Sequence, residues 1–320
     1  MLESVLLIVV GLALLAVGGE CLLRGAVGLA TLMRLTPAII GLTVVAAGTS
    51  LPELFVSILA TARDQPDIAV GNAVGSNIFN IGFVLGACAL IRPLAITGNS
   101  IKLEYPVLAI VTLLFLALAQ DGFVNGLDGL LCLVVYVLFT TYMVTLVRAQ
   151  VTESEKGELA GEVASLAPSA RMLPAVGWVV LGAVLLGVGA SWTVDGAVRM
   201  ARLAGLSERV IGLTIVAGGT SLPEVVASLV STLRGRDDVA IGNVIGSNIF
   251  NVLGILGTTA LVRPLPVHAA IATIDGWWMM GITLLLFPIM FTRLRIDRGE
   301  GVCLLAAYAA YTVALLLRPA

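Results

Sequence analysis

The chain carries one stretch twice. IIGLTVVAAGTSLPELFVS, from Ile39 to Ser57, returns as VIGLTIVAGGTSLPEVVAS, from Val210 to Ser228. DIAVGNAVGSNIFNIGFVLG from Asp67 returns as DVAIGNVIGSNIFNVLGILG from Asp238. All four segments align without a gap at one offset of 171 residues, the distance from Glu53 to Glu224. A duplication this regular means that the fold is one unit built twice. Each copy holds a single acid, Glu53 or Glu224, inside an apolar run long enough to cross a bilayer.

The rest of the composition agrees with a membrane setting. Of 320 residues, 59% are hydrophobic and 12% charged, and the mean hydropathy is +1.06. A water-soluble surface could not be made from such a chain. A net charge of −2 leaves no basic footprint for nucleic acid. Counting runs of about 20 apolar residues predicts an all-α integral membrane protein with ten transmembrane helices. They fall over 3–30, 37–62, 67–91, 102–120, 124–147, 172–200, 208–233, 238–262, 270–291 and 299–317. The first run has no basic flank and no cleavage site, so it reads as a span and not a signal peptide. Residues 1–147 and 172–320 form two five-helix repeats, joined by a polar linker over 148–171.

Five is an odd number, so the two repeats enter the membrane in opposite senses. Lys and Arg collect on the connections that are cytoplasmic if both termini lie outside, among them Arg92, Lys156, Arg234, Arg236 and Arg295. The expected setting is a cell inner membrane with extracytoplasmic termini and a cytoplasmic linker. Inverted repeats are the layout of secondary transporters, with the substrate site near the midplane where the halves meet. Thr36-Pro37 and Ser207-Glu208 read as the helix starts of the second and seventh spans. Glycines recur along the first span and its repeat partner, where small residues let helices approach closely. Arg24 and Asp195 are expected near the bundle, with Glu20 and Arg199 as their local partners.

Pro52 and Pro223 interrupt their helices, freeing the carbonyls of Gly48 and Gly219 and loosening those of Ala46 and Ala217. Broken backbone at membrane depth survives only where protein, a wet cavity or an ion satisfies it. Thr49, Ser50 and Glu53 share a face at helical spacing, as do Thr220, Ser221 and Glu224, and the pairs Ser76 with Asn80 and Ser247 with Asn251. Every ligand in this set is a hard oxygen, which suits Ca²⁺ or Na⁺ and suits zinc, copper or iron badly. Cys21, Cys88, Cys132 and Cys303 are scattered singly, and His268 is the only histidine. No resident cofactor is expected. Two ionised carboxylates in mid-bilayer are costly until a divalent ion, two protons or two monovalent cations discharge them. Such a site returns empty with difficulty, which favours exchange over leak. A cation channel would use the same oxygens, though broken helices suit alternating access better. A hydrolase built on Ser50 or Ser221 lacks a base in either motif, so the chain is not expected to be an enzyme.

On GTSLPE and GNxxGSNIFN in both halves, the chain resembles the calcium/cation antiporter superfamily, most closely its small prokaryotic sodium/calcium exchanger-like members. The resemblance covers all ten predicted spans. It implies that the second, third, seventh and eighth helices enclose the ions while the first and sixth slide as gates. It implies Glu53 and Glu224 as central Ca²⁺ ligands. Thr49, Ser50, Thr220, Ser221, Ser76 and Ser247, with the carbonyls of Ala46 and Ala217, would serve flanking Na⁺ sites and parts of the Ca²⁺ site. Exchangers of this family carry an aspartate at one or both positions that are Asn80 and Asn251 here, so only two acids stand at the centre. The expected activity is Ca²⁺ exchange for Na⁺; exchange for H⁺, or exchange requiring K⁺, stays open.

Overall fold

The computed structural model describes residues 2–33, 41–62, 66–96, 100–150, 172–203 and 217–317, and it is helical throughout apart from two short ribbons. Helix α1 covers Leu2–Met33. A broken pair follows, α2 over Gly41–Thr49 and α3 over Leu51–Ala62, bent by 47°. Then come α4 (Pro66–Ile91), α5 (Ser100–Asp121) and α6 (Gly126–Gln150). The second half gives α7 (Met172–Leu203), α8 (Ala217–Thr220), α9 (Leu222–Leu233), α10 (Asp237–Val262), α11 (Ile271–Phe291) and α12 (Arg298–Leu317).

Among the described residues, seven helices are long and apolar enough to cross a membrane: α1, α4, α5, α6, α7, α10 and α11, or the greater part of each. The α2–α3 pair makes an eighth if counted as one span. The protein is therefore multi-pass. The segments holding Thr36-Pro37 and Ser207-Glu208, and the linker beyond Gln150, lie outside the described residues.

The centre is made by α4 and α10, whose apolar windows are 72% and 94% buried. Helices α1, α6 and α7 form the rim. Leu6, Val9, Leu12 and Val17 of α1, Leu127 and Leu138 of α6 and Leu173 of α7 are all exposed, as a lipid-facing surface requires. Helices α1 and α7 pack along their length on glycines. A Cβ on Gly11 would stand 2.8 Å from the Gly189 carbonyl oxygen, one on Gly18 2.9 Å from the Leu186 nitrogen, and one on Gly25 2.5 Å from the Val179 nitrogen. The partners fall in sequence as α1 advances, so the two helices are antiparallel. Gly41 and Gly246 likewise bring α2 against α10, where a Cβ on Gly246 would strike the Leu42 carbonyl oxygen.

Two antiparallel ribbons tie the halves together. Strand β1 (Leu94–Ala95) pairs with β4 (Arg295–Ile296), and β2 (Phe123–Val124) with β3 (Leu265–Pro266). Each ribbon takes one strand from each half, so the 171-residue spacing of the sequence reappears as a symmetric exchange.

Arg24 meets Glu20 at 2.9 Å, as expected. Arg199, however, pairs with Glu3 of α1 at 2.7 Å and not with Asp195, and both Arg24 and Asp195 are exposed. The four cysteines are free, three of them buried and Cys303 exposed. His268 caps a turn, its Nδ1 accepting the Ala270 N–H at 3.1 Å.

Candidate functional site

The broken helices place the duplicated motifs. Each helix is interrupted as its proline implies, with the break just before the proline. Helix α2 ends at Thr49, Ser50 takes φ −86° and ψ 9°, and α3 starts at Leu51 with Pro52 in its first turn, where no N–H is needed. The second copy repeats this within a degree: Ser221 has φ −86° and ψ 8°, and Pro223 sits in the first turn of α9. The Ser50 N–H still reaches the Ala46 oxygen at 3.1 Å. That oxygen also accepts from the Thr49 hydroxyl at 3.2 Å and the Ser247 hydroxyl at 3.5 Å. Ala217 opens the short helix α8.

The breaks turn each acid toward the other half. Glu53 and Glu224 are each only 1% exposed. Ser50 Oγ donates to Glu224 Oε1 at 2.7 Å, and Ser221 Oγ donates to Glu53 Oε1 at 3.0 Å. The serine of each repeat thus serves the acid of the other. Ser221 and Ser76 hydroxyls lie 3.0 Å apart. Thr49 donates to Asn243 Oδ1 and Thr220 to Asn72 Oδ1, both at 3.2 Å.

A set of amides also joins the two halves. Asn77 Nδ2 donates to the Asn248 carbonyl at 3.2 Å, and Asn248 Nδ2 donates back to the Asn77 carbonyl at 3.3 Å. Their side-chain oxygens then accept from Asn251 Nδ2 at 2.9 Å and Asn80 Nδ2 at 3.0 Å. With those NH₂ groups committed, Asn80 Oδ1 and Asn251 Oδ1 are left as acceptors. Both occur where α4 and α10 widen into π-helical turns, Asn80–Leu85 and Asn251–Leu256, a backbone form that recurs at functional sites.

Four buried oxygens, Glu53 Oε2, Glu224 Oε2, Asn80 Oδ1 and Asn251 Oδ1, make no hydrogen bond. They form two repeat-equivalent pairs. A buried acceptor without a partner costs roughly 1–3 kcal/mol, and more if charged, so native proteins reserve such groups for a ligand or a special role. The donor set is oxygen alone, which fits a hard cation.

The sequence motifs located the acids, serines and threonines that the structure brings together. They left unremarked Asn72 and Asn243, which donate to Ser57 Oγ at 3.2 Å and Ser228 Oγ at 2.9 Å and also reach the Glu53 and Glu224 carbonyls. Asn77 and Asn248 were missed too. All of them obey the 171-residue offset within the GNxxGSN runs, and that was the available signal.

A largely helical, multi-pass bundle around a crossed pair of buried acids, together with the chain's relatives, places it among membrane antiporters. The chain belongs to the sodium/calcium exchanger protein family, which it matches over residues 3–145 and 174–317. It is 42% identical over 315 residues to the putative antiporter CaxA of Alkalimonas amylolytica, covering 97% of this chain and 98% of that one. It is 30% identical to the sodium/calcium exchanger MaX1 of Methanosarcina acetivorans, covering 97% of each. A solved structure of the sodium-calcium exchanger NCX_Mj, soaked with Na⁺ and Ca²⁺, superposes with a TM-score of 0.82 at 31% identity and 99% coverage of both chains.

Proposed function

We propose that this protein exchanges Ca²⁺ for Na⁺ across a cell inner membrane by alternating access, with Glu53 and Glu224 as the central ligands. Thr49, Ser50, Thr220, Ser221, Ser76, Asn80, Ser247 and Asn251, with the Ala46 and Ala217 carbonyls, complete the ion sites. The observation that carries this reading is the four buried oxygens with no hydrogen-bond partner, two repeat-equivalent pairs, on acids that each take a serine hydroxyl from the other repeat and on asparagines that donate across the repeats. A Ca²⁺ ion needs six to eight oxygens and tolerates irregular geometry. Two carboxylates and two amide carbonyls supply a nucleus for it, with serine and threonine hydroxyls at the margins.

The mechanism follows from charge. Two carboxylates repel each other in a low-dielectric centre and hold it open to cations. One Ca²⁺ neutralises both. Two Na⁺ also do so, and a third would leave one positive charge that the amides and carbonyls must bear. Each acid is oriented by a serine of the opposite repeat, so displacement of one half against the other changes both carboxylates at once. Ten spans in two inverted repeats, 1–147 and 172–320, with outward termini and a cytoplasmic linker over 148–171, give this centre alternate openings. Support comes from the antiparallel course of α1 and α7 and from ribbons that each join the two halves.

Exchange of Ca²⁺ for protons is the second reading, favoured by one observation. Asn80 and Asn251 are neutral amides, so two protons suffice to discharge the whole centre. Measuring ⁴⁵Ca²⁺ flux in proteoliposomes, with Na⁺, K⁺ and pH gradients imposed one at a time, separates the possibilities. Uptake driven by Na⁺ at constant pH supports the first reading; uptake that follows only a pH gradient replaces it with the second. Flux without any counter-ion gradient would indicate a channel and overturn both.

A further inference from the structure

Two asparagines outside the proposed ligand set stand between the acids and the threonines. Asn72 in α4 and Asn243 in α10 are 171 residues apart and buried, at 7% and 0% exposure. The two ends of each amide serve different halves of the molecule. Asn72 Nδ2 donates to Ser57 Oγ at 3.2 Å and to the Glu53 carbonyl at 3.4 Å; Asn243 Nδ2 donates to Ser228 Oγ at 2.9 Å and to the Glu224 carbonyl at 3.5 Å. A carbonyl can only accept, so the NH₂ end of each amide must face the acid-bearing helix of its own repeat. The amide oxygens are thereby turned to the other repeat. There Thr220 donates to Asn72 Oδ1 and Thr49 to Asn243 Oδ1, both at 3.2 Å.

This arrangement decides what the threonines can offer. A hydroxyl has one proton and two lone pairs, and it ligates a cation through its oxygen only when the proton points elsewhere. Thr49 has two acceptors within reach, Asn243 Oδ1 and the Ala46 carbonyl, each at 3.2 Å. The Ala46 oxygen also accepts the Ser50 N–H at 3.1 Å and the Ser247 hydroxyl at 3.5 Å. A carbonyl oxygen has only two lone pairs, so three donors crowd it. Asn243 is the acceptor with room for the Thr49 proton.

We infer that Asn72 and Asn243 are positioning residues for ion binding: by accepting the protons of Thr220 and Thr49 they present the threonine oxygens as cation ligands. This rests on the place proposed above for those threonines in the ion sites. Both bonds cross between the halves, while each amide stays anchored to the helix that carries its own acid. Displacement of one half against the other removes the acceptor and lets the hydroxyl turn its proton toward the ion. The threonines then hold cations only while the halves are in register.

A double-mutant cycle, read by equilibrium binding of ²²Na⁺ and ⁴⁵Ca²⁺ to the full-length protein, tests this. Thr49→Val removes the hydroxyl at nearly constant volume, and Asn243→Leu removes its acceptor. Each should raise the dissociation constant of at least one of the two ions by about two- to tenfold, the range of one hydrogen bond. The double variant should bind about as Thr49→Val does, because no hydroxyl is left for Asn243 to orient. Asn72→Leu with Thr220→Val repeats the cycle in the other repeat, so a variant that melts early in one cycle leaves the other to decide. Effects that multiply in a folded cycle would overturn the inference by making the asparagine a packing residue, with the exchange reading left intact. Wild-type binding of both ions by either single variant would overturn it too. A wild-type protein that binds neither ion would overturn the exchange reading and this inference together.

Discussion

At the scale of residues, each acid at the centre has one oxygen held by a hydroxyl of the other repeat and one oxygen free of hydrogen bonds. Glu53→Gln and Glu224→Gln replace a ligand oxygen by an NH₂ group and remove a charge. Each should lower Ca²⁺ exchange by at least a hundredfold while leaving expression and thermal unfolding near wild type, measured by ⁴⁵Ca²⁺ flux and a melting curve. Ser50→Ala leaves the Glu224 carboxyl unoriented. Losing a hydrogen bond to a charged group is worth about 1.5–3 kcal/mol, so apparent Ca²⁺ affinity should fall about tenfold or more in titrations of initial rate. Asn251→Asp sets an oxygen against Asn77 Oδ1 in place of the donated N–H. It should change the ion coupling ratio, read as reversal potential or net charge moved per Ca²⁺, more than it changes expression. The acids and hydroxyls were legible in the sequence because the motifs repeat and their chemistry is visible one residue at a time. The amides of Asn72, Asn77, Asn243 and Asn248 were not, since an amide's role depends on which of its two ends faces which neighbour across the interface.

At the scale of elements, the sequence expects Pro52 and Pro223 to interrupt their helices, and the structure has breaks just before them, at Ser50 and at Ser221. Proline marks where a helix cannot continue, but tertiary contacts decide whether it bends or restarts. The π-helical turns at Asn80–Leu85 and Asn251–Leu256 were invisible for a related reason, because their register is set by packing and not by composition. The glycine habit of the first span and its partner was legible, and it corresponds to the α1–α7 contact. In that contact a Cβ on Gly182 would lie 2.5 Å from the Leu22 nitrogen. Gly182→Val should force the pair apart and reduce transport at least tenfold. If α1 and α7 move as a gate, equilibrium Ca²⁺ binding to this variant stays near wild type; loss of binding in proportion to transport would assign the glycines to static packing instead.

At the scale of the whole molecule, hydropathy made the membrane class legible before any coordinates, and the duplicated GTSLPE and GNxxGSNIFN motifs made the family legible. Orientation rests on the distribution of Lys and Arg, and one labelling experiment checks it. With Cys303, the exposed cysteine, changed to serine, a cysteine at Ser154 in the linker should react with an impermeant maleimide only after the inner face is opened. Reaction in intact cells would reverse the topology. The ion-pair arrangement was less legible than the spans: Glu3 binds Arg199 and Glu20 binds Arg234, both joining α1 to the second half. Such partners lie far apart in sequence and only the folded bundle selects them.

The crossed serines carry a consequence for assembly. Since Ser50 lends its proton to Glu224 and Ser221 to Glu53, neither half owns a finished pocket. A fragment holding one half, produced by itself, would bind nothing. The same two fragments made as separate polypeptides in one cell could restore the pocket between them, with the connecting peptide dispensable for chemistry.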